Sequence, residues 1–134
     1  MQQQAFENMQ LHPTNHGKKR MKNRSLSRLE AKVIYWFGSE LTDDEIFFSK
    51  KDAKKLISDI SHSNEYKFLI KPLGAEKNDD ANKNGKISKN VKIYINSLVG
   101  WKIVVRGTNL ISCYRCTKES QRKRISRHLK SIKQ

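Results

Sequence analysis

The spacing of hydrophobic residues changes along the chain, and this change limits the fold more than any other feature of the sequence. Before residue 61 the apolar residues recur every three or four positions, as they do on one face of a helix. In several segments between residues 66 and 116 they alternate with polar residues, as they do in a strand with one buried face. Helices followed by strands predict an α+β fold, with N-terminal helices packed on an antiparallel sheet of about four strands.

Two helices are predicted in the first half of the chain. Ser27 and Glu30 have the spacing of a capping box, and apolar residues then recur at helical spacing up to Gly38. The capping spacing recurs at Ser49, ahead of a second apolar stripe over residues 50–60. We expect one side of each helix to pack on the sheet and the other to face water.

Four strands are predicted in the second half. Alternating apolar residues favour strands over Tyr66–Lys71, Val91–Asn96, Trp101–Arg106 and Leu110–Cys116. The last two strands are separated only by Gly107–Asn109, which predicts a tight hairpin connection.

The remaining segments complete this outline. Residues 1–24 lack hydrophobic periodicity and are predicted as a flexible basic arm that precedes a single domain over residues 25–134. One helical turn is expected over Asp43–Phe48. A mobile loop is expected over residues 75–90, which contain almost nothing to bury. A basic helix is expected after Thr117, which can serve as its N-cap.

Positive charge is concentrated in the C-terminal part of the chain. The sequence has 28 Lys and Arg residues against 13 Asp and Glu residues, a net charge of +15. Residues 81–134 carry fourteen basic residues and one acidic residue, whereas residues 25–80 have a net charge of −2. Such a segment repels itself when compact unless an anion lies against it, so nucleic acid is the predicted partner. The alternative is a solvated basic surface without a partner.

The predicted nucleic-acid contacts come from the last hairpin and the helix after it. Trp101 or Tyr114 is a candidate for stacking on a base, the alternative being that Tyr114 packs in the core. The residues predicted to contact phosphates are Lys102, Arg106, Arg115, Lys118, Arg122, Lys123, Arg124, Arg127 and Lys130.

The sequence does not support a membrane segment or a metal site. The longest apolar run, Val33–Phe37, has five residues, so we expect no spanning helix and no membrane partner. Cys113 and Cys116 have CxxC spacing, but one such pair cannot close a tetrahedral zinc site. On a strand, moreover, residues three apart point to opposite faces. We therefore expect two reduced thiols, no metal, no cofactor and a cytoplasmic location.

His62 is the histidine best placed for catalysis. It is predicted to lie in a loop between the second helix and the first strand, where functional side chains are often found. Metal-free RNA cleavage needs a general base and a general acid, roles that histidine fills near neutral pH. Ser112 and Tyr114 share one face of their predicted strand and are candidates for contacting the scissile phosphate. The alternative for His62 is an ordinary surface residue.

Residues 101–130 resemble the end of some bacterial ribonuclease toxins. The resemblance consists of a strand over Lys102–Arg106, a turn over Gly107–Asn109, a strand over Leu110–Tyr114 and a helix after Thr117. The second strand contains an Ile-Ser pair and an aromatic residue. This order is similar to that of the colicin D-like domains in the barnase–EndoU–colicin–RelE superfamily.

The resemblance implies a metal-independent endoribonuclease of the toxin type, with His62, Ser112 and Tyr114 as catalytic residues. It implies RNA rather than DNA as substrate, and an acidic inhibitor protein as a second partner. The residues alone leave open a different hypothesis, a non-catalytic DNA- or RNA-binding factor of a phage, plasmid or ribosome. Such a factor would use its basic helix and arm on phosphates.

Overall fold

The computed structural model describes residues 2–76 and 89–116 and confirms the α+β class. No helix among these residues is long and apolar enough to cross a membrane. The described elements are, in chain order, α1 (Gln2–Asn8), β1 (His12–Pro13), α2 (Asn15–Asn23), α3 (Arg28–Phe37), β2 (Ser39–Thr42), β3 (Glu45–Phe47), α4 (Lys50–His62), a 3₁₀ helix (Asn64–Leu69), α5 (Ile70–Glu76), α6 (Lys89–Ser97), β4 (Trp101–Arg106) and β5 (Asn109–Arg115).

The described residues form two compact units, and the single domain predicted over residues 25–134 stays a prediction. The helical unit consists of the described residues within Met1–Asn8 and Lys50–Val99, and the sheet unit of those within Met9–Ser49 and Gly100–Gln134. All five described strands belong to the sheet unit.

The sheet unit is built on the hairpin of β4 and β5, which confirms the last two predicted strands. The strand order is β1-β5-β4-β3-β2, and every pairing is antiparallel except that of β1 with β5. Arg106 pairs with Asn109 across a two-residue turn. Gly107 has a φ of 60° there, and Thr108 is not among the residues with positive φ. This is the pattern of a type II′ turn, whose first central position favours glycine.

Helix α3 confirms the predicted capping box. The Ser27 hydroxyl accepts a hydrogen bond from the Glu30 N–H (3.1 Å), and the Glu30 carboxylate accepts one from the Ser27 N–H (2.8 Å). The helix ends at Gly38, whose N–H donates to the Ile34 carbonyl (2.8 Å). Packed against β3 and β4, α3 buries Val33 and Ile34 completely.

The helical unit contains α4, which confirms the second predicted helix and extends it by two residues to His62. Helix α4 packs against the 3₁₀ helix and α6, and α1 packs against the 3₁₀ helix. The rings of Phe6 and Phe68 meet there at a centroid distance of 5.6 Å. Residues 2–8, predicted as part of a flexible arm, therefore contribute a buried aromatic ring to this unit.

Two predicted strands are wrong, because both segments are helical. Tyr66–Lys71 lies across the 3₁₀ helix and α5, and Val91–Asn96 lies within α6. In α6, Val91 and Ile95 are buried, whereas Ile93 between them is 56% exposed. In so short a segment the apolar residues fit the period of a helix as well as that of a strand. The segment is helical here, and α6 packs against α4 and α5. Of the predicted loop over 75–90, residues 77–88 lie outside the described residues.

The predicted helical turn over Asp43–Phe48 is also wrong, since this segment forms a hairpin turn and β3. The Thr42 hydroxyl donates to the Glu45 carboxylate (3.1 Å) and accepts from the Asp44 N–H (3.3 Å). The three-residue separation of Thr42 and Glu45 is the spacing of a capping box and also that of a tight turn. The pairing of β3 with β4 favours the hairpin turn over the helical turn.

Residues 12–24 belong to the sheet unit and are not part of a flexible arm. Strand β1 pairs in parallel with β5, and α2 packs against β5. The Thr14 hydroxyl caps α2 by accepting from the Gly17 N–H (3.0 Å). Gly17 lies so close to β5 that a Cβ atom there would collide with the Leu110 carbonyl oxygen. Sequence periodicity missed this helix because it buries only Gly17 and Met21 and therefore lacks an apolar stripe.

The end of α2 is a Schellman motif. The Leu26 N–H donates to the Met21 carbonyl (2.9 Å), and the Ser25 N–H donates to the Lys22 carbonyl (3.3 Å). Ser25 has a φ of 56°, in the left-handed region that this motif requires. Leu26 and Met21, the two positions between which an apolar contact commonly accompanies this motif, are both buried. The turn holds Arg24, the C-cap residue, at a defined end of the helix.

Replacing Gly17 by Ala is expected to destabilise the sheet unit. The added methyl group would meet backbone of β5, which cannot give way as a flexible side chain does, so we expect a cost of about 1–3 kcal/mol. The measurement is the free energy of unfolding in urea. Lys18→Ala, at an exposed position of the same helix, is the control and should change stability by less than about 0.5 kcal/mol. Equal unfolding curves for the two variants would contradict the close approach of α2 to β5.

Candidate nucleic-acid interface

Tyr114 of β5 is not a core residue, and its ring lies close to two cationic side chains, Lys102 of β4 and Arg24 at the end of α2. Its side chain is 40% exposed. The Arg24 guanidinium carbon lies 4.9 Å from the centre of the ring, and the Lys102 Nζ lies 5.5 Å from it. Lys102 pairs directly with Tyr114 in the β4–β5 ladder, so the two side chains share a face of the sheet. An exposed aromatic ring can stack on a base, and positive charges beside it can contact the neighbouring phosphates.

Arg24 is held in place by the backbone of β5. Its Nη1 donates a hydrogen bond to the Cys113 carbonyl oxygen (2.6 Å). Strand β1 pairs only with Asn109 and Leu110, so this carbonyl lies beyond the reach of the β1 ladder. The guanidinium is thus fixed beside Tyr114 by a charge-assisted bond to main chain.

Lys102 forms an ion pair with Glu45 of β3. Its Nζ lies 2.8 Å from the Glu45 Oε2. The hydrogen bond from Lys102 lowers the pKa of Glu45, and the charge of Lys102 and the hydrogen bond from Thr42 lower it further. Burial acts in the opposite direction but does not outweigh them. The carboxylate therefore stays ionised and competes with any anion that approaches Lys102.

Arg115 and Trp101 form a second cation–aromatic pair, with the guanidinium carbon 5.5 Å from the indole centre. They are direct partners in the β4–β5 ladder, one position along from Lys102 and Tyr114, and so lie on the other face of the sheet. Trp101 is only 5% exposed, which removes it as a candidate for base stacking. The predicted contacts therefore divide, with Lys102 and Tyr114 on one face and Arg115 on the other.

Arg106 is exposed at the end of β4, on the same side of that strand as Lys102 by alternation. The other predicted phosphate contacts lie outside the described residues. These are Lys118, Arg122, Lys123, Arg124, Arg127 and Lys130.

Helix α2 adds cations that the sequence assigned to a flexible arm. Lys18, Lys19 and Lys22 are exposed, and the Nε of Arg20 donates to the Nε2 of His16 (3.2 Å). Arg20 and Lys22 lie in the last turn, where positive charge stabilises a helix. A Thr14 cap followed by basic residues in the last turn was the one local signal for this helix in the sequence. Nothing local indicated that Arg24 would reach Tyr114.

The predicted catalytic residues do not meet within one unit. His62 is the last residue of α4 in the helical unit, not a loop residue, and its Nδ1 lies 2.9 Å from the Ser58 carbonyl oxygen. Ser112 and Tyr114 belong to the sheet unit. Ser112 is only 4% exposed, and its buried hydroxyl has no hydrogen-bond partner among the described residues. A buried hydroxyl is poorly placed to contact a phosphate.

The two cysteines are free thiols in different environments. Cys113 is buried and Cys116 is half-buried. Burial raises the pKa of the Cys113 thiol, and the nearby Arg24 and Arg20 act in the opposite direction. Within residues 2–76 and 89–116 there is no group of three or more His, Cys, Asp or Glu side chains that could hold a metal ion.

No protein-family model, no curated protein and no solved structure matches the chain. The resemblance to ribonuclease toxins therefore stays a prediction.

Replacing Glu45 by Gln is expected to lower stability at neutral pH by up to about 1 kcal/mol, as for other partly exposed ion pairs. Because the pKa of Glu45 is lowered on folding, its contribution is complete above the ordinary value of 4.5 and is lost as the pH falls below it. The difference between the parent protein and Glu45→Gln should therefore shrink on acidification, as measured by urea unfolding at several pH values. A difference that grows in acid would contradict the assigned ion pair.

Proposed function

We propose that this protein binds single-stranded nucleic acid, RNA in preference to DNA, through the sheet unit. The binding surface, here called the Tyr114 surface, comprises Tyr114, Arg24, Lys102 and the exposed lysines of α2. The observation that carries the proposal is the exposed Tyr114 ring with two cations within 5.5 Å of its centre.

Each part of the Tyr114 surface has a separate role in the proposed complex. A base stacks on Tyr114, an interaction worth about 1–3 kcal/mol that any of the four bases can make. Arg24 and Lys102 contact the phosphates on either side of that base, and Lys18, Lys19 or Lys22 extends the contact along the strand. Because phosphate contacts are independent of sequence, affinity would depend more on salt than on base composition.

The distribution of charge across the sheet supports this choice of surface. The segment 15–24, which spans α2 and Arg24, has five basic residues and no acidic residue. The hairpin of β2 and β3 has four acidic residues and no basic residue over 39–47. Since β5 and β2 lie on opposite sides of β4 in the strand order, the sheet is positive on the β5 side and negative on the β2 side. A polyanion is therefore attracted to the Tyr114 surface and repelled from the β2–β3 hairpin.

The preference for RNA rests on the resemblance to ribonuclease toxins rather than on a contact that distinguishes a 2′-hydroxyl. Parallel titrations with single-stranded RNA and DNA of one sequence test it directly.

Tyr114→Ala is expected to weaken binding of a labelled single-stranded RNA by about five- to 150-fold, the equivalent of one lost stacking contact. Tyr114→Phe is the matched control, because it keeps the ring, and it should bind within about twofold of the parent. Fluorescence anisotropy at fixed salt measures both. Unchanged affinity of Tyr114→Ala would overturn the proposal for this surface.

Incubation with total tRNA in EDTA separates binding from cleavage. We expect a complex with intact RNA, because the Ser112 side chain is buried and cannot contact a phosphate. Cleavage that disappears in His62→Ala would instead support the toxin-type ribonuclease that the sequence predicted.

A further inference from the structure

We propose that the helical unit carries a second phosphate-binding surface, on α4, which contacts the same class of ligand as the Tyr114 surface. This inference rests on the proposed function and extends it from the sheet unit to the helical unit. The surface, here called the α4 lysine face, consists of Lys50, Lys51, Lys54 and Lys55.

The four lysines occupy one side of the helix. All are exposed, and with 3.6 residues per turn they fall within an arc of about 140°. The opposite side of α4 is fully buried at Ala53, Leu56 and Ile60. The helix backbone is therefore anchored by its core side, and the four ammonium groups are presented together on the solvent side.

Among the described residues, no acidic side chain forms an ion pair with the α4 lysine face. The acidic residues of α4 border the arc: Asp52 is buried and has an interaction of its own, and Asp59 is half-buried. The arc continues toward the C-terminus through Ser58 and His62, neither of which is acidic.

The position of these lysines is unfavourable for the helix itself. Lys50 and Lys51 lie in the first turn, where the helix dipole disfavours positive charge. Lys54 lies four residues after Lys50, and Lys55 lies four residues after Lys51. Like charges at this separation repel each other on a helix. In α2, by contrast, basic residues lie in the last turn, which the dipole favours. The α4 lysine face thus weakens its own helix unless an anion relieves the repulsion.

The chemistry of the face indicates a phosphate backbone. Residues four apart are about 6 Å apart along a helix axis, so the charges are spread over a length rather than gathered at one point. Helix α4 contains no Phe, Tyr or Trp ring that could stack on a base. Contacts from this face would therefore be to successive phosphates and independent of sequence.

Double substitutions that remove two charges each, made in the 134-residue chain, test the inference. The variants are Lys50→Gln with Lys51→Gln, and Lys54→Gln with Lys55→Gln. Each pair should reduce the steepness of the dependence of log affinity on log salt by up to about 1.4, which is ~0.7 for each lost phosphate contact with single-stranded RNA. Each pair should also leave the thermal midpoint at low salt unchanged or raise it, because repulsion within α4 is removed.

The matched control is Lys67→Gln with Lys71→Gln, which removes two exposed charges from the 3₁₀ helix and α5 of the same unit. We expect the control to keep the salt dependence of the parent. If the α4 pairs match the control while Tyr114→Ala loses affinity, the α4 inference is overturned and the proposed function stands. If the parent chain binds no single-stranded RNA, both are overturned.

Discussion

The pairing of β4 with β5 is the interaction on which the sheet unit depends. Strand β3 pairs with the other edge of β4, strand β1 pairs with β5, and helix α2 packs against β5. The register of this hairpin sets Lys102 opposite Tyr114 and Trp101 opposite Arg115. Gly107 allows the type II′ turn whose twist suits that register. This hairpin therefore fixes the faces of the sheet on which Lys102, Tyr114, Trp101 and Arg115 lie.

Helix α2 shows how a polar segment becomes ordered without an apolar stripe. Its order comes from backbone contacts: a side-chain cap at Thr14, a close approach of Gly17 to β5 and a Schellman motif around Ser25. Only two of its residues are buried, so nearly all of its cationic side chains stay in solvent. This arrangement places Arg24 against the edge of β5 and turns a basic segment into one wall of the Tyr114 surface.

The elements predicted correctly are those with strong local signals. A complete capping box identified α3, an apolar stripe of several turns identified α4, and alternation around Gly107 identified the β4–β5 hairpin. The segments Tyr66–Lys71 and Val91–Asn96 were wrong because six residues are too few to separate a strand from a helix that buries one side. Of the residues of the Tyr114 surface, Lys102 and Tyr114 were predicted from the hairpin as nucleic-acid contacts, which stay predictions. Arg24 was not among those contacts, because its position beside Tyr114 depends on α2.

The sequence by itself determined the α+β class, the central hairpin and the excess of positive charge, because these depend on residue type and short-range spacing. Tertiary structure alone decided which segments join the sheet, the division into two units and the faces on which the charges lie. The physical reason is that strand pairing and helix packing join residues far apart in the chain, as Arg24 and Cys113 are joined by one hydrogen bond. Local periodicity carries no information about such a contact, and the Tyr114 surface is made of contacts of this kind.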